Sequence, residues 1–140
     1  MGARGAAVVR TIVHFDGGGR NGGPLACAAI ITQEGRAVAR EARLLDRGTT
    51  NTAEYEGLLL GLRLARSLAV EELVVYGDSR LVVMQVRGEW AVKNRILGEL
   101  RARACAELRR FDMWRLVWTP REKNAAADAL CRQALGGEKP

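Results

Sequence analysis

The sequence predicts an α/β fold: a five-stranded mixed sheet, antiparallel at one edge and parallel in the middle, with helices on both faces. Three observations predict it. The first third of the chain holds three strand-like stretches joined by short glycine-containing turns, the pattern of an antiparallel meander. LVVYG at Leu73–Gly77 is a continuous apolar run, as a strand buried on both faces requires. Stretches of helical period, several with N-cap residues at their starts, fill the rest.

Composition agrees with one globular domain. The 140 residues are 48% apolar and 27% charged, enough to bury a core that offsets chain entropy. The 16 glycines follow no period and there are 3 prolines, which excludes collagen-like and low-complexity classes. No apolar run approaches the ~18 residues of a membrane span, so no membrane partner is expected. Lys and Arg number 22 against 16 Asp and Glu, and the net charge of +6 suits a polyanionic partner without deciding the matter. Cys27, Cys105 and Cys131 form no C-x-x-C pair and adjoin no histidine cluster, which excludes a zinc framework of the usual spacing and argues against a secreted disulfide scaffold. The start of the chain carries no signal-peptide core. A cytoplasmic monomer is expected.

Taken in order, Val8–Phe15 alternates and is β-branched, and reads as a strand ending at Asp16. Residues 17–24 are a glycine-rich turn. Leu25–Thr32 and Ala37–Leu45 are the next strands, joined by the turn 33–36. Thr49, Thr50, Asn51 and Thr52 offer N-caps for a helix to about Ala69. After the strand at Leu73–Gly77 come helices over Ser79–Val86 and Asn94–Arg110, separated by the break at 87–90. Met113–Thr119 is the fifth strand, and a last helix over Asn124–Leu135 is capped by Asn124. The order is β-β-β-α-β-α-α-β-α, in one domain over 1–140 with its core at about 8–135 and a loose tail over 136–140.

Four carboxylates stand where apolar residues are expected. Asp16 ends the first strand. Glu54, in the first turn of the long helix, continues into Leu58, Gly61, Leu62 and Ala65, the stripe that packs on the sheet. Asp78 follows the buried strand at its carboxyl end, where open α/β sheets place their ligands. Asp128 shares a helix face with Cys131 and Leu135. Each also has a plain reading: the aspartates after strands start turns, and the helix acids complement N-terminal dipoles. If strands one and four are neighbours at the sheet centre, Asp16 and Asp78 emerge at one rim, and two helix N-termini can deliver Glu54 and Asp128 there. Clustered carboxylates raise one another's pKa unless cations compensate, and all-oxygen ligands suit Mg²⁺ or Mn²⁺ rather than zinc. Such a pair of ions serves in-line phosphoryl displacement.

At these residues the chain resembles type 1 ribonuclease H. The matching segments are Phe15-Asp16-Gly17-Gly18-Gly19, Thr50-Asn51-Thr52-Ala53-Glu54-Tyr55, Tyr76-Gly77-Asp78-Ser79, Gln85-Val86-Arg87-Gly88-Glu89-Trp90, Val92-Lys93-Asn94, and Pro120-Arg121-Glu122 followed by Asn124 and Asp128. They run in the family's order over about residues 8–135. The resemblance implies an endonuclease that hydrolyses the RNA strand of an RNA–DNA hybrid, leaving 5′-phosphate and 3′-hydroxyl ends. It implies Asp16, Glu54, Asp78 and Asp128 as catalytic, metal-holding carboxylates, with two Mg²⁺ ions or Mn²⁺ as substitute. Substrate contacts are expected at Gly17, Asn21, Asn51 and Ser79, the last two near RNA 2′-hydroxyls, the groups that tell RNA from DNA.

Departures from the family pattern fall on substrate contacts. The glycine loop is short, Thr50 stands where an asparagine is frequent, and Arg80 and Met84 replace a common glutamine and asparagine. The span from Ser79 to Arg110 is too short for the extra helix and basic loop of some relatives, which marks a compact subtype. Trp90, Lys93, Asn94 and Arg95 take over part of the DNA-strand contact in this reading; otherwise Trp90 is a core or edge aromatic and the basic pair a solvated helix face. The loop before the last helix lacks the histidine of some relatives, and Arg121 is a reasonable substitute there, since an arginine can hold a phosphate or the released product. The only histidine, His14, reads as structural. The alternative function is a catalytically silent hybrid-binding module, which should have lost a metal carboxylate.

Overall fold

In the computed structural model, which describes residues 9–136, five strands form one sheet, in the spatial order third, second, first, fourth, fifth. β1 (Arg10–Gly19), β2 (Leu25–Gln33) and β3 (Arg36–Leu45) are the antiparallel meander. β4 (Glu72–Gly77) lies parallel to β1, and β5 (Met113–Trp118) parallel to β4. The expected centre, strands one and four side by side, is therefore present.

One face carries α1 (Thr50–Arg66), α2 (Arg80–Val86) and α3 (Arg95–Leu108) over the main core. Val13, Phe15, Tyr55, Leu58, Leu62, Leu73, Val75 and Leu108 are fully buried there. A buried polar chain ties its helices together. Tyr55 donates its hydroxyl to Gln85 Oε1 at 2.7 Å, and Arg101 Nε donates to the Gln85 carbonyl at 2.7 Å. The other face carries α4 (Ala125–Ala134), which packs Cys131 on Ala26 and Ala28. His14 stacks on Tyr76 with ring centroids 5.2 Å apart, a structural place as expected.

Several boundaries differ from the sequence reading, each for a physical reason. The glycine segment is mostly strand: Gly17, Gly18 and Gly19 continue β1 against Cys27, Ala26 and Leu25. The turn shrinks to the segment that Arg20 N–H closes on the Pro24 carbonyl at 3.0 Å. Asp16 consequently lies inside β1, yet at the rim, because the parallel pairing with β4 stops at Phe15–Gly77. The N-cap of α1 is Thr49, which trades hydrogen bonds with Thr52 in a capping box. This puts Glu54 in the second turn of α1 rather than the first. The helix ends at Arg66, where the Ser67 hydroxyl donates to the Leu64 carbonyl at 2.7 Å and closes the last turn early. Asn124 stands before α4 but makes no side-chain cap; its amide is used elsewhere. Arg121–Lys123, read as loop, is a turn of 3-10 helix. Of the expected tail only Gly136 is described, and the start of the first strand at Val8 likewise lies outside the described residues.

Candidate active site

Two glycines bring the first two carboxylates together. Helix α1 crosses β1 so closely that a Cβ on Gly17 would strike the backbone of Ala53 and Glu54, and one on Gly57 would strike the Asp16 carbonyl. With no side chains in the way, Glu54 comes down beside Asp16. Asp78 arrives from the end of β4, and Asp16, Glu54 and Asp78 place one carboxylate oxygen each within 4.8 Å of one another. Asp128, from the first turn of α4, stands next to Asp16 as a hydrogen-bond partner but outside this trio. Its carboxylate is also paired with Arg132 at 3.2 Å. All four line one cleft of about 370 Å³ together with Gly17, Gly18, Arg121 and Cys131.

The electrostatics are those of carboxylates crowded together and buried. Burial, then the Asp78 charge, push Asp16 up to about 7, against the pull of the Gly17 N–H. Burial, then Asp16 and Asp78, push Glu54 up to about 9. Burial also raises Asp78, while hydrogen bonding from Asn124 and the nearby Arg121 oppose it. Glu54 Oε1 is buried with no hydrogen-bond partner. A buried acceptor without a donor is costly, and a cation would satisfy it. Cys131 is no nucleophile here: burial pushes its thiol up to about 12, and its Sγ donates to the Ala26 carbonyl at 3.3 Å.

The other expected contacts divide. Gly17 and Arg121 line the carboxylate cleft. Asn21, Asn51 and Asn94 meet in a second, larger hollow of about 750 Å³ between the N-terminal end of α1 and α3, with Arg47 and Arg103. Asn21 and Asn94 are partly occupied, accepting from the Thr50 N–H at 2.7 Å and the Leu97 N–H at 2.9 Å. Their amide N–H groups are not consumed by those bonds. Ser79 caps α2, accepting from the Val82 N–H at 3.2 Å directly after Asp78. Trp90 and Lys93 lie exposed between α2 and α3 and line neither hollow. Trp90 is 44% exposed, so it is not a core aromatic. Arg95 is exposed and paired with Glu99 at 3.1 Å. Sequence reasoning missed Asn124 as a site residue and Gly57 as a contact; an asparagine that caps nothing carries no signal before the fold is known.

The family model that matches residues 14–134 is described as reverse transcriptase-like. Ribonuclease HI of Halobacterium salinarum is 36% identical over 128 residues, covering 90% of this chain and 64% of that protein. The crystal structure of RNase H1 from this archaeon superposes with a TM-score of 0.87 at 35% identity, over 91% of this chain and 98% of that one. The chain belongs to the type 1 ribonuclease H family. LC11-RNase H1, solved in complex with an RNA/DNA hybrid, is 34% identical with a TM-score of 0.83, over 90% and 96% of the two chains. The bifunctional protein Rv2228c of Mycobacterium tuberculosis is 35% identical over 130 residues, 91% of this chain. The chain spans 64% of the curated halobacterial relative and 36% of the mycobacterial one. As a ribonuclease H domain it is compact, with only residues 87–94 between α2 and α3. No helix among the described residues is long and apolar enough to cross a membrane.

Proposed function

We propose that the chain is an endoribonuclease that hydrolyses the RNA strand of RNA–DNA hybrids, leaving 5′-phosphate and 3′-hydroxyl ends. One observation carries this reading: three crowded, largely buried carboxylates meet at the carboxyl end of the central strands, one with a buried oxygen that nothing satisfies. The donor set fits a hard cation, being all oxygen and free of imidazole and thiolate. Asp16, Glu54 and Asp78, with Asp128 beside Asp16, would hold two Mg²⁺ ions or Mn²⁺ in their place. When bound, such a pair activates water and stabilises the leaving oxygen of an in-line displacement.

The chain's own groups do the positioning. The Gly17 N–H favours the charged forms of Asp16 and Glu54, and Asn124 does the same for Asp78. Arg132 is paired with Asp128, so Arg121 is the cation of the cleft left to draw in a phosphate. Asn51 lies three residues before Glu54 on α1, close enough along the helix for its amide to read the sugar hydroxyls that distinguish RNA. The polar hollow with Asn21, Asn94, Arg47 and Arg103 takes the accompanying strand. The hybrid bound to LC11-RNase H1 supports the same substrate here. The domain works as a monomer in the cytoplasm, where the free thiols Cys27, Cys105 and Cys131 persist.

The test is incubation with a labelled RNA–DNA hybrid, RNA duplex, DNA duplex and single strands in Mg²⁺, Mn²⁺ or chelator. Metal-dependent cutting of the hybrid's RNA strand alone is expected. Asp16→Asn or Asp78→Asn should lower the rate by more than about 100-fold, the upper range for groups that merely support metal ligands. Hybrid binding without cutting by the wild type would replace the enzyme with a silent module.

A further inference from the structure

Beside Asp78 the structure holds an arrangement that the carboxylate cleft does not account for. Trp118 ends β5 opposite Gly77, and its indole Nε1–H donates to the Asp78 carbonyl at 3.2 Å. The guanidinium of Arg80 lies over that indole, 4.1 Å from the ring centroid. Arg80 is the first residue of α2, exposed, two positions after Asp78. Among the described residues it forms no ion pair with any carboxylate, although seven other arginines do.

An exposed arginine ordinarily samples many rotamers and must give up that freedom to bind. An indole beneath the guanidinium plane removes part of the freedom beforehand and leaves the N–H edge open. That edge is the part that pairs with phosphate oxygens in bidentate fashion. Trp118 is itself fixed by the Asp78 carbonyl, so the cation keeps a set position relative to the carboxylate cleft. An acidic cleft that must accept a polyanion gains from a fixed cation at its border, where it attracts the backbone without neutralising the carboxylates.

We propose that Arg80, seated on Trp118, grips a backbone phosphate of the strand being cut, next to the phosphate in the cleft. Arg80 is then a substrate-binding residue and Trp118 a positioning residue that acts through it. This rests on the hybrid-nuclease reading above.

Binding of a fluorescent RNA–DNA hybrid by anisotropy in chelator, from about 50 to about 200 mM salt, separates the two ideas. Arg80→Gln should bind about tenfold more weakly at low salt, and the slope of log affinity against log salt should fall by about one. Arg80→Lys should keep the slope and recover part of the affinity, since an ammonium ion keeps the charge but lacks the planar fork. Trp118→Leu should weaken binding while keeping the slope, and should add no further loss in the Arg80→Gln background. A merely structural Arg80 would leave the salt slope unchanged, and that result for Arg80→Gln overturns the proposal. Arg80 is exposed at a helix start, so this variant decides the matter even if Trp118→Leu fails to fold. Wild-type protein that neither binds nor cuts the hybrid overturns the nuclease reading and this proposal with it. Wild-type cutting alongside an unchanged Arg80→Gln slope overturns this proposal alone.

Discussion

Asn124 reaches across 109 positions of sequence to donate its Nδ2–H to the Phe15 carbonyl at 2.9 Å. Phe15 precedes Asp16, and Asn124 precedes the helix that carries Asp128, so one buried hydrogen bond fixes two carboxylates against each other. The same amide faces Asp78 and favours its charged form. Asn124→Ala leaves the Phe15 carbonyl buried without a donor, a loss of about 1–3 kcal/mol. The variant should unfold at lower urea. Its turnover under conditions where it is fully folded should also fall, because Asp128 is no longer held to the strand. Lower stability with unchanged turnover would make Asn124 a purely structural tie.

Stability without metal should depend on pH in a direction opposite to that of most carboxylate proteins. Asp16 and Glu54 are held up to about 7 and about 9, against 3.8 and 4.5 for the free groups. As pH rises, the unfolded chain gives up these protons first, so folded stability falls across the window from about 4 to about 9. Mg²⁺ opposes the fall, contributing about 2.7 kcal/mol at a hundred times its dissociation constant. Glu54→Gln should flatten the upper part of the window and reduce the Mg²⁺ shift. Thermal melts in chelator and in Mg²⁺ across that window check this; a chelated protein that gains stability with rising pH contradicts it.

The four carboxylates were legible because each interrupts an apolar pattern: Glu54 on a buried stripe, Asp78 after LVVYG. Strand and helix identities followed from the same periodicity. The ends of elements were not legible, because they depend on partners distant in sequence. Asp16 reads as the end of a strand, yet Gly17–Gly19 continue it only because Leu25–Cys27 offer a ladder. Asn124 reads as a cap, yet the Phe15 carbonyl takes its amide. The separation of Asp128 from the trio likewise depends on how α4 sits, which no local pattern encodes. The substrate contacts divided for a similar reason: Trp90 and Lys93 precede α3 in sequence like Asn94, but only Asn94 faces the hollow beside α1.

The close crossing of α1 and β1 should tolerate no added carbon. Gly17→Ala meets the Ala53 backbone and Gly57→Ala meets the Asp16 carbonyl, and neither neighbour is a side chain that can turn away. Overpacking of this kind costs about 1–3 kcal/mol, and here it also lifts Glu54 from Asp16. Both variants should lose stability and should need more Mg²⁺ for half-maximal cutting. Gly98→Ala is the contrast. It lies inside α3 with its nearest neighbour at 3.9 Å, so the alanine should stabilise by about 0.5–1 kcal/mol through helix propensity. Denaturation midpoints rank the three.

Arg121 should help place the acid limb of the pH–rate profile through Asp78. It lies in the carboxylate cleft, and its charge is one of the influences that lower Asp78 against burial. Removing it leaves Asp78 harder to ionise. A reaction that needs charged Asp78 then begins at higher pH. Arg121→Ala should move the acid limb of kcat upward and lower the plateau by about tenfold, less than the loss of a donor aimed at the reacting oxygen. Arg121→Lys keeps the charge and should return the limb toward wild type, while a phosphate held by two parallel N–H groups is not restored by an ammonium ion. Profiles of kcat at saturating Mg²⁺ distinguish these effects. A limb that stays in place in Arg121→Ala would mean that Arg121 acts on the substrate phosphate alone and not through Asp78.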